Sequence, residues 1–138
     1  IMKYKVKSKE ETESLAKKFA KTLKRGDVVC LNGDLGAGKT TFTQYVFACL
    51  GVKEQVNSPT FSILKIYKGD DIILNHFDTY RISSEEAIEA GFDEILDDKN
   101  SISFIEWGEN ISSLLPDKKI VVNIKIIDEN TREFEILR

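Results

Sequence analysis

The sequence predicts an α/β fold in which helices flank a sheet of mixed parallel and antiparallel strands. Short apolar runs typical of strands alternate along the chain with stretches of helical periodicity, which is the pattern of α/β proteins. The glycine-rich segment 33–40 connects one apolar run directly to one helical stretch. The turn-like segment Lys68–Asp71 separates two further apolar runs, so we expect a hairpin and some antiparallel pairing.

Composition limits the possible classes of protein. The 138 residues, 41% of them hydrophobic and 31% charged, are typical of one globular domain, which we expect to span residues 1–138 as a monomer. The net charge of −3 and the lack of a Lys/Arg block argue against direct, strong binding of nucleic acid. No apolar run is long enough to cross a bilayer and the N-terminus is charged, so we expect a cytoplasmic protein without membrane association.

The first elements are predicted from spacing and capping signals. Residues 3–7 read as a strand, and Ser8 with Glu11 fits a capping box at the start of a helix. Apolar residues at four-residue spacing extend this helix over 9–24, with Gly26 as its left-handed C-cap. The remaining elements predicted by apolar runs and turn signals are strands at 27–32, 61–67, 72–77, 102–105, 119–127 and 132–137, and helices at 41–50, 83–91 and 108–114.

Two cysteines lie inside the predicted strand and helix on either side of segment 33–40. We expect Cys30 and Cys49 to be small buried packing residues in a reducing compartment. A metal or redox site is disfavoured because the pair has no C-x-x-C spacing and His76 is the only histidine.

Segment 33–40 reads Gly-Asp-Leu-Gly-Ala-Gly-Lys-Thr, a complete G-x-x-x-x-G-K-T phosphate-binding loop. A strand before it and a helix after it distinguish such a loop from a glycine-rich turn that merely contains Lys-Thr. We expect its three glycines to take positive φ and turn backbone N–H groups towards an anion. The residues expected to bind a nucleoside triphosphate belong to the loop and the helix start: Gly33, Asp34, Leu35, Gly36, Ala37, Gly38, Lys39, Thr40 and Thr41.

Three side chains at the helix start have distinct expected roles. Lys39 is expected to place its charge on the β- and γ-phosphates as a catalytic residue, and the Thr40 hydroxyl to ligate Mg²⁺. Thr41 is expected to donate to the α-phosphate. The partial positive charge of the helix N-terminus adds to this attraction for phosphate.

Two carboxylates end apolar strands and are candidates for the acidic part of the site. Asp78 follows the run 72–77 and Glu106 follows the run 102–105. Parallel strands would bring both to the edge that carries the phosphate loop. We expect Asp78 to bind the metal and Glu106 to polarise the attacking water, but the reverse assignment, with Glu106 at the metal, stays open. Either carboxylate could instead cap a following helix.

Two further residues are weaker candidates. Thr60, within Ser58–Phe61, has the character of a switch threonine that senses the γ-phosphate or Mg²⁺, although Ser-Pro-Thr is also ordinary turn chemistry. Trp107 directly follows Glu106 and is either a lid over the nucleotide or a packing residue.

Four segments together resemble the TsaE family, the bacterial P-loop ATPases of tRNA threonylcarbamoyladenosine synthesis. They are residues 33–41, Ser58–Phe61, His76–Arg81 and Phe104–Trp107, in this order and at family-like spacing. Each of the last three is modest alone, whereas the set is specific. The matched segments span residues 33–107, and the length of the chain fits the whole family domain.

The resemblance implies a single P-loop NTPase domain that uses ATP and Mg²⁺ and works with the TsaD and TsaB proteins. Those partners transfer a threonylcarbamoyl group to adenosine 37 of tRNA, and ATP hydrolysis resets their complex, so the ATPase meets tRNA only indirectly. The residues to which the resemblance gives a role are Lys39 and Thr40 for phosphate and Mg²⁺, Thr60 in the switch loop, Asp78 at the metal, and Glu106 and Trp107 near the nucleotide. The segment around Glu11–Glu13 is the candidate for contact with adenine.

Two other functions remain open: a small-molecule kinase and a nucleotide switch that does not hydrolyse. Kinases commonly carry several arginines on a lid, whereas Arg81 is the only arginine between the phosphate loop and residue 131. This scarcity favours an ATPase that is weak alone and depends on partners. Glu106 beside the site argues against a switch without hydrolysis. The lack of an Asn-Lys-x-Asp guanine-binding sequence favours ATP over GTP.

Overall fold

A computed structural model describes residues 1–59 and 63–138, and this part of the chain forms a sheet with helices on both faces. The strands are Met2–Val6 (β1), Val28–Asn32 (β2), Leu64–Lys68 (β3), Ile73–Asp78 (β4), Ser101–Glu106 (β5), Ile120–Ile126 (β6) and Arg132–Leu137 (β7). The helices are Lys9–Ala20 (α1), Lys39–Cys49 (α2), Ser84–Glu89 (α3) and Phe92–Leu96 (α4), and Gly108–Leu114 is a 3₁₀ segment. None of the helices in the described ranges is both long and apolar enough to cross a membrane.

The sheet has the strand order β1-β7-β6-β2-β5-β4-β3 and is mixed, as predicted. Its four central strands, β6, β2, β5 and β4, run parallel, while β1, β7 and β3 pair antiparallel with their neighbours. Both faces of β5 are covered, since every one of its residues is buried. The carboxyl ends of the parallel strands therefore meet at one edge, where the site lies.

Two apolar layers hold the helices to the sheet. Helices α1 and α2 cover one face, where Phe42 and Phe47 of α2 pack against Phe104 and Phe134 of the sheet. The two short helices and the 3₁₀ segment cover part of the other face, and Phe92 of α4 meets Phe77 of β4 with ring centroids 5.0 Å apart. The packing of α2 fixes the direction in which its N-terminus points.

Three local expectations differ from the structure. Helix α1 ends at Ala20, because Thr22 turns back with its hydroxyl and its N–H on the Phe19 carbonyl. Gly26 does have a positive φ of 91°, but it lies beyond the helix end and donates its N–H to Ser101. Cys30 is buried as expected, whereas Cys49 is exposed at the last position of α2, and Val52 closes the core there instead.

Candidate nucleotide-binding site

The phosphate loop joins β2 to α2, and its glycines serve two different purposes. Gly36 and Gly38 have φ of 83° and 107°, and a Cβ on either would meet nothing within 4 Å, so their backbone torsions require glycine. Gly33 does not adopt a positive φ, so that expectation is wrong. A Cβ on Gly33 would lie 2.7 Å from the carbonyl oxygen of Ile124, so glycine is needed there for close packing of the loop on β6.

The loop delivers the N-terminus of α2 into a cavity of about 720 Å³. Gly38 is the N-cap residue and supplies no side-chain cap, and the first turn contains no acidic residue. The N–H groups of this first turn are therefore available to an anion, and the helix dipole adds partial positive charge. Lys39, Thr40 and Thr41 all line the cavity, as the loop motif predicts.

Residues from three parts of the sheet edge complete the cavity. The lining residues outside the loop and α2 are Ser58, Ile63, Asp78, Tyr80, Arg81, Glu106 and Trp107. Thr60 lies outside the described residues. Ser58 and Ile63, on either side of residues 60–62, line the cavity, and the Ile63 carbonyl accepts a hydrogen bond from the Asp78 N–H at 2.8 Å.

The two candidate carboxylates lie side by side at the sheet edge. Asp78 ends β4, Glu106 ends β5, and the two residues are paired in register across these parallel strands. Asp78 is half-buried, and its Oδ1 accepts the Tyr80 N–H at 3.1 Å. Glu106 is only 5% exposed, and its Oε1 lies 3.8 Å from the Lys39 ammonium. The structure thus brings both strand-end carboxylates to one edge, as their position in the sequence predicts.

Trp107 borders the cavity in a strained backbone conformation. Its φ of 62° and ψ of 37° are left-handed, which is uncommon for a bulky residue. Its carbonyl accepts hydrogen bonds from the Thr79 hydroxyl at 2.6 Å and from the Asn110 N–H at 3.1 Å. The indole ring is 36% exposed and lies 5.0 Å from the Lys39 ammonium, in cation–π range, and 4.9 Å from the Tyr80 ring. Trp107 is therefore a wall of the cavity rather than a core residue.

The turns that follow β4 and β5 are joined by hydrogen bonds. The N–H of Thr79, which is fully buried, donates to the Glu106 carbonyl at 3.1 Å, and its hydroxyl, which donates to the Trp107 carbonyl, also lies 3.0 Å from the Glu106 carbonyl. The Asn110 side-chain amide donates to the carbonyls of Thr79 and Tyr80, at 3.0 and 3.2 Å. These contacts fix the position of one acidic residue relative to the other.

Sequence reasoning missed His76 as a site residue. The imidazole is fully buried, and its Nε2 lies 2.9 Å from Glu106 Oε2. A signal was present in the sequence: successive residues of a strand alternate between faces, so His76 and Asp78 belong to the same face of β4. Among the described residues, no group of three or more His, Cys, Asp or Glu side chains is arranged to hold a metal ion.

A second cavity, of about 360 Å³, lies on the other side of the phosphate loop. It shares Gly36, Gly38 and Thr41 with the first cavity. The start of α1 and the β6–β7 turn contribute its other walls, with Ser8, Thr12, Asn130 and Arg132 among the polar residues. Thr12 belongs to the segment that the sequence suggests for adenine contact, whereas its neighbours Glu11 and Glu13 do not line this cavity.

The chain is similar over almost its whole length to proteins of one family. The family model for the threonylcarbamoyl adenosine biosynthesis protein TsaE matches residues 6–134. A Rickettsia prowazekii relative named tRNA threonylcarbamoyladenosine biosynthesis protein TsaE is 46% identical over 127 residues, which are 91% of this chain and 87% of the relative. A Bacillus subtilis relative of the same name is 39% identical over 132 residues, 96% of this chain and 82% of the relative.

A solved structure has the same fold. The crystal structure of Bacillus subtilis YdiB aligns with a TM-score of 0.81 and 35% sequence identity. The alignment covers 96% of this chain and 82% of that one.

Proposed function

The chain belongs to the TsaE family of threonylcarbamoyl adenosine biosynthesis proteins, and on that premise we propose that it binds and hydrolyses ATP for this tRNA modification. The observation that carries the proposal is the approach of Lys39 to Glu106 within one cavity, with 3.8 Å between the ammonium and the carboxylate. The lysine can bind the phosphate groups, and the buried carboxylate beside it can orient a water molecule for attack, so the two groups needed for hydrolysis lie next to each other.

The phosphate groups of the nucleotide belong against the loop. The N–H groups at the start of α2 and the Lys39 ammonium would hold the β- and γ-phosphates. The Thr40 hydroxyl and the Asp78 carboxylate are oxygen ligands of the kind that Mg²⁺ prefers, and both line the cavity. When bound there, Mg²⁺ neutralises charge on the β- and γ-phosphate oxygens.

Glu106 is the residue that we assign to the attacking water. Its Oε1 is the carboxylate oxygen on the Lys39 side of the cavity, where the terminal phosphate would lie. From there the carboxylate can accept a hydrogen bond from a water molecule and orient its lone pair towards phosphorus. Thr60 is proposed as the switch threonine of the same site, and Trp107 as a wall that excludes solvent.

The ribose and adenine are assigned to the second cavity. Thr41 lines both cavities and directly follows Lys39 and Thr40, which are assigned to the β- and γ-phosphates and to Mg²⁺. It therefore lies where the α-phosphate would connect the phosphates in the first cavity to the ribose in the second. Ser8, Thr12 and Asn130 offer side-chain hydrogen-bonding groups in that cavity, as recognition of a purine requires.

We assign the hydrolysis step to a protein complex rather than to the isolated chain. TsaD and TsaB are the proposed partners, tRNA is reached through them, and hydrolysis resets their complex between turnovers in the cytoplasm. Arg81 lines the cavity and is the one arginine among its described walls, so a partner would supply any further positive charge. The chain itself is proposed to be a monomer with one domain, 1–138.

Measurement of phosphate release from Mg-ATP tests this proposal. We expect slow release by the chain alone and a clear rise when TsaD, TsaB and tRNA are added together. ADP formation that appears only with a small-molecule acceptor, together with a phosphorylated product and no free phosphate, would favour a kinase. Nucleotide binding with no ADP formation under any condition would instead favour a switch that does not hydrolyse.

A further inference from the structure

His76 is a buried polar side chain that contacts the site through the carboxylate of Glu106. It lies on β4 opposite Phe104 of β5, and the Phe47 ring packs edge-on against the imidazole with centroids 6.1 Å apart. Its Nε2 is 2.9 Å from Glu106 Oε2, while its Nδ1 has no hydrogen-bond partner within the described ranges. Among the described residues the ring therefore has one polar contact, and that contact is with the carboxylate assigned to the attacking water.

The geometry determines which nitrogen carries the hydrogen. A carboxylate oxygen only accepts hydrogen bonds, and a neutral imidazole has one donor nitrogen and one acceptor nitrogen. With hydrogen on Nε2, the ring donates to Glu106. With hydrogen on Nδ1, a buried N–H would have no acceptor and a lone pair would face the carboxylate. Hydrogen on Nε2 is therefore the arrangement that the contacts favour.

On the basis of the proposed function, we infer that His76 is a positioning residue that orients Glu106 for its role. A glutamate has three rotatable side-chain bonds, so its carboxylate needs support to keep one orientation. His76 holds Oε2, which leaves Oε1 directed to the cavity, 3.8 Å from Lys39. Packing against Phe47 keeps the imidazole in place. The core therefore fixes the imidazole, and the imidazole in turn fixes the orientation of the Glu106 carboxylate.

A purely structural role would not require a histidine here. The position is fully buried and next to aromatic rings, where an apolar side chain would fill the space without burying an unpaired nitrogen. The contact with Glu106 accounts for the polar ring. Supporting residues of this kind typically change activity by about 10- to 100-fold when they are removed.

The tautomer is directly measurable because His76 is the only histidine in the chain. We expect long-range ¹H–¹⁵N correlation spectra of the histidine-labelled protein to show hydrogen on Nε2 and none on Nδ1. Hydrogen on Nδ1 with none on Nε2 would overturn the proposed contact, because Nε2 could then not donate to Glu106. This measurement needs no nucleotide and no hydrolysis, so it is independent of whether the proposed function holds.

A set of substitutions tests the effect on hydrolysis. The amide nitrogen of glutamine reaches about as far as Nε2, whereas that of asparagine reaches only as far as Nδ1. Relative to the native protein with TsaD, TsaB and tRNA, we expect His76→Leu and His76→Asn to lower kcat about 10- to 100-fold, with KM for Mg-ATP changed less than about threefold. We expect His76→Gln to recover most of the lost kcat.

Asn75→Ala is the matched control. Asn75 is buried next to His76, and its amide donates to the Ser101 and Ser103 hydroxyls of β5, on the opposite face of the sheet from His76. The substitution weakens the same strand without touching Glu106, so we expect lower thermal stability and an unchanged kcat.

The inference fails if His76→Leu or, should that variant not fold, His76→Asn keeps the native kcat. It also fails if His76→Gln is as slow as they are, because loss of the donor would then not explain the effect. A native protein that binds Mg-ATP but releases no phosphate with its partners would overturn the proposed function, and the tautomer measurement would still decide the contact.

Discussion

Asp78 lies directly opposite Glu106 in the parallel pairing of β4 with β5. Despite their equivalent positions, the two carboxylates have different surroundings. Asp78 accepts a backbone hydrogen bond from Tyr80, whereas the Glu106 oxygens face the Lys39 ammonium and the His76 imidazole. Unequal environments allow two carboxylates in one site to take different roles.

Removal of the Lys39 charge is expected to weaken nucleotide binding. Lys39→Ala leaves the β- and γ-phosphates without their ammonium partner, and loss of a charged hydrogen bond costs about 1.5–3 kcal/mol, or roughly 10- to 150-fold in affinity. Isothermal titration calorimetry with Mg-ATP measures this loss. Lys17→Ala, at an exposed position of α1, is the control and should bind normally. Equal affinity in the Lys39 variant would contradict the assignment of the phosphate loop.

Neutralising Glu106 is expected to separate binding from hydrolysis. Glu106→Gln keeps the size of the side chain and an oxygen that can accept from His76, but it removes the basic carboxylate. We expect phosphate release with TsaD, TsaB and tRNA to fall about 10²- to 10⁴-fold while affinity for Mg-ATP changes little. The exposed Glu109→Gln, three residues further along, is the matched control. A Glu106 variant that turns over at the native rate would rule out its catalytic role.

Neutralising Asp78 is expected to change the response to metal. Asp78→Asn retains an oxygen for the Tyr80 N–H, so the turn should stay intact, but it removes a negative ligand. We expect the Mg²⁺ concentration for half-maximal phosphate release to rise roughly tenfold or more. The exposed Asp117→Asn should leave the Mg²⁺ titration unchanged. If the Glu106 variant shifts the Mg²⁺ titration and the Asp78 variant does not, the two roles are reversed.

The two cysteines are expected to differ in reactivity. Burial raises the pKa of Cys30 from 9.0 to about 11, whereas Cys49 is exposed at the end of α2. We expect a disulfide reagent at pH 8 to modify one thiol quickly in the folded protein and two in denaturant. In Cys49→Ser, fast labelling of the folded protein should disappear. Fast labelling of two thiols in the native protein would contradict the buried position of Cys30.

The same raised pKa predicts a loss of stability in alkali. Between pH 9 and about 11 the unfolded chain has released the Cys30 proton, while the folded chain still holds it. The folded state then binds more protons, so the free energy of unfolding falls as pH rises through this range. Urea denaturation at a series of pH values measures the decrease, and Cys30→Ala should reduce the slope.

Much of the fold was predictable because its strongest signals are local. The apolar runs of β2 and β5 and the helical spacing after the phosphate loop depend on neighbouring residues, and the structure confirms them. The helix α4 has only five residues and follows an N-cap glycine, Gly91, with φ of 82°, so it has too few turns for a periodic pattern. Its position depends on the packing of Phe92 against Phe77, which links distant parts of the chain.

The candidate site was predictable in its loop and its strand ends, and less so in its supporting contacts. The position of Asp78 and Glu106 at the ends of two predicted strands is enough to predict that they share one edge, and side-chain packing does not enter that argument. In contrast, the left-handed conformation of Trp107 depends on Thr79, which is 28 residues away in sequence. The glycine requirement at Gly33 depends on the Ile124 carbonyl, and neither dependence is visible in a local pattern.

The hydrogen bonds of Thr79 and Asn110 have a consequence for the tolerance of the site to change. The pairing of β4 with β5 sets the two acidic residues opposite each other, and Thr79 and Asn110, which carry neither carboxylate, join the turns that follow them. A displacement of one turn therefore carries the other with it, and the separation between the carboxylates is preserved. Sequence changes on the outer surface of either turn can then accumulate without altering that separation, provided that Thr79 and Asn110 remain.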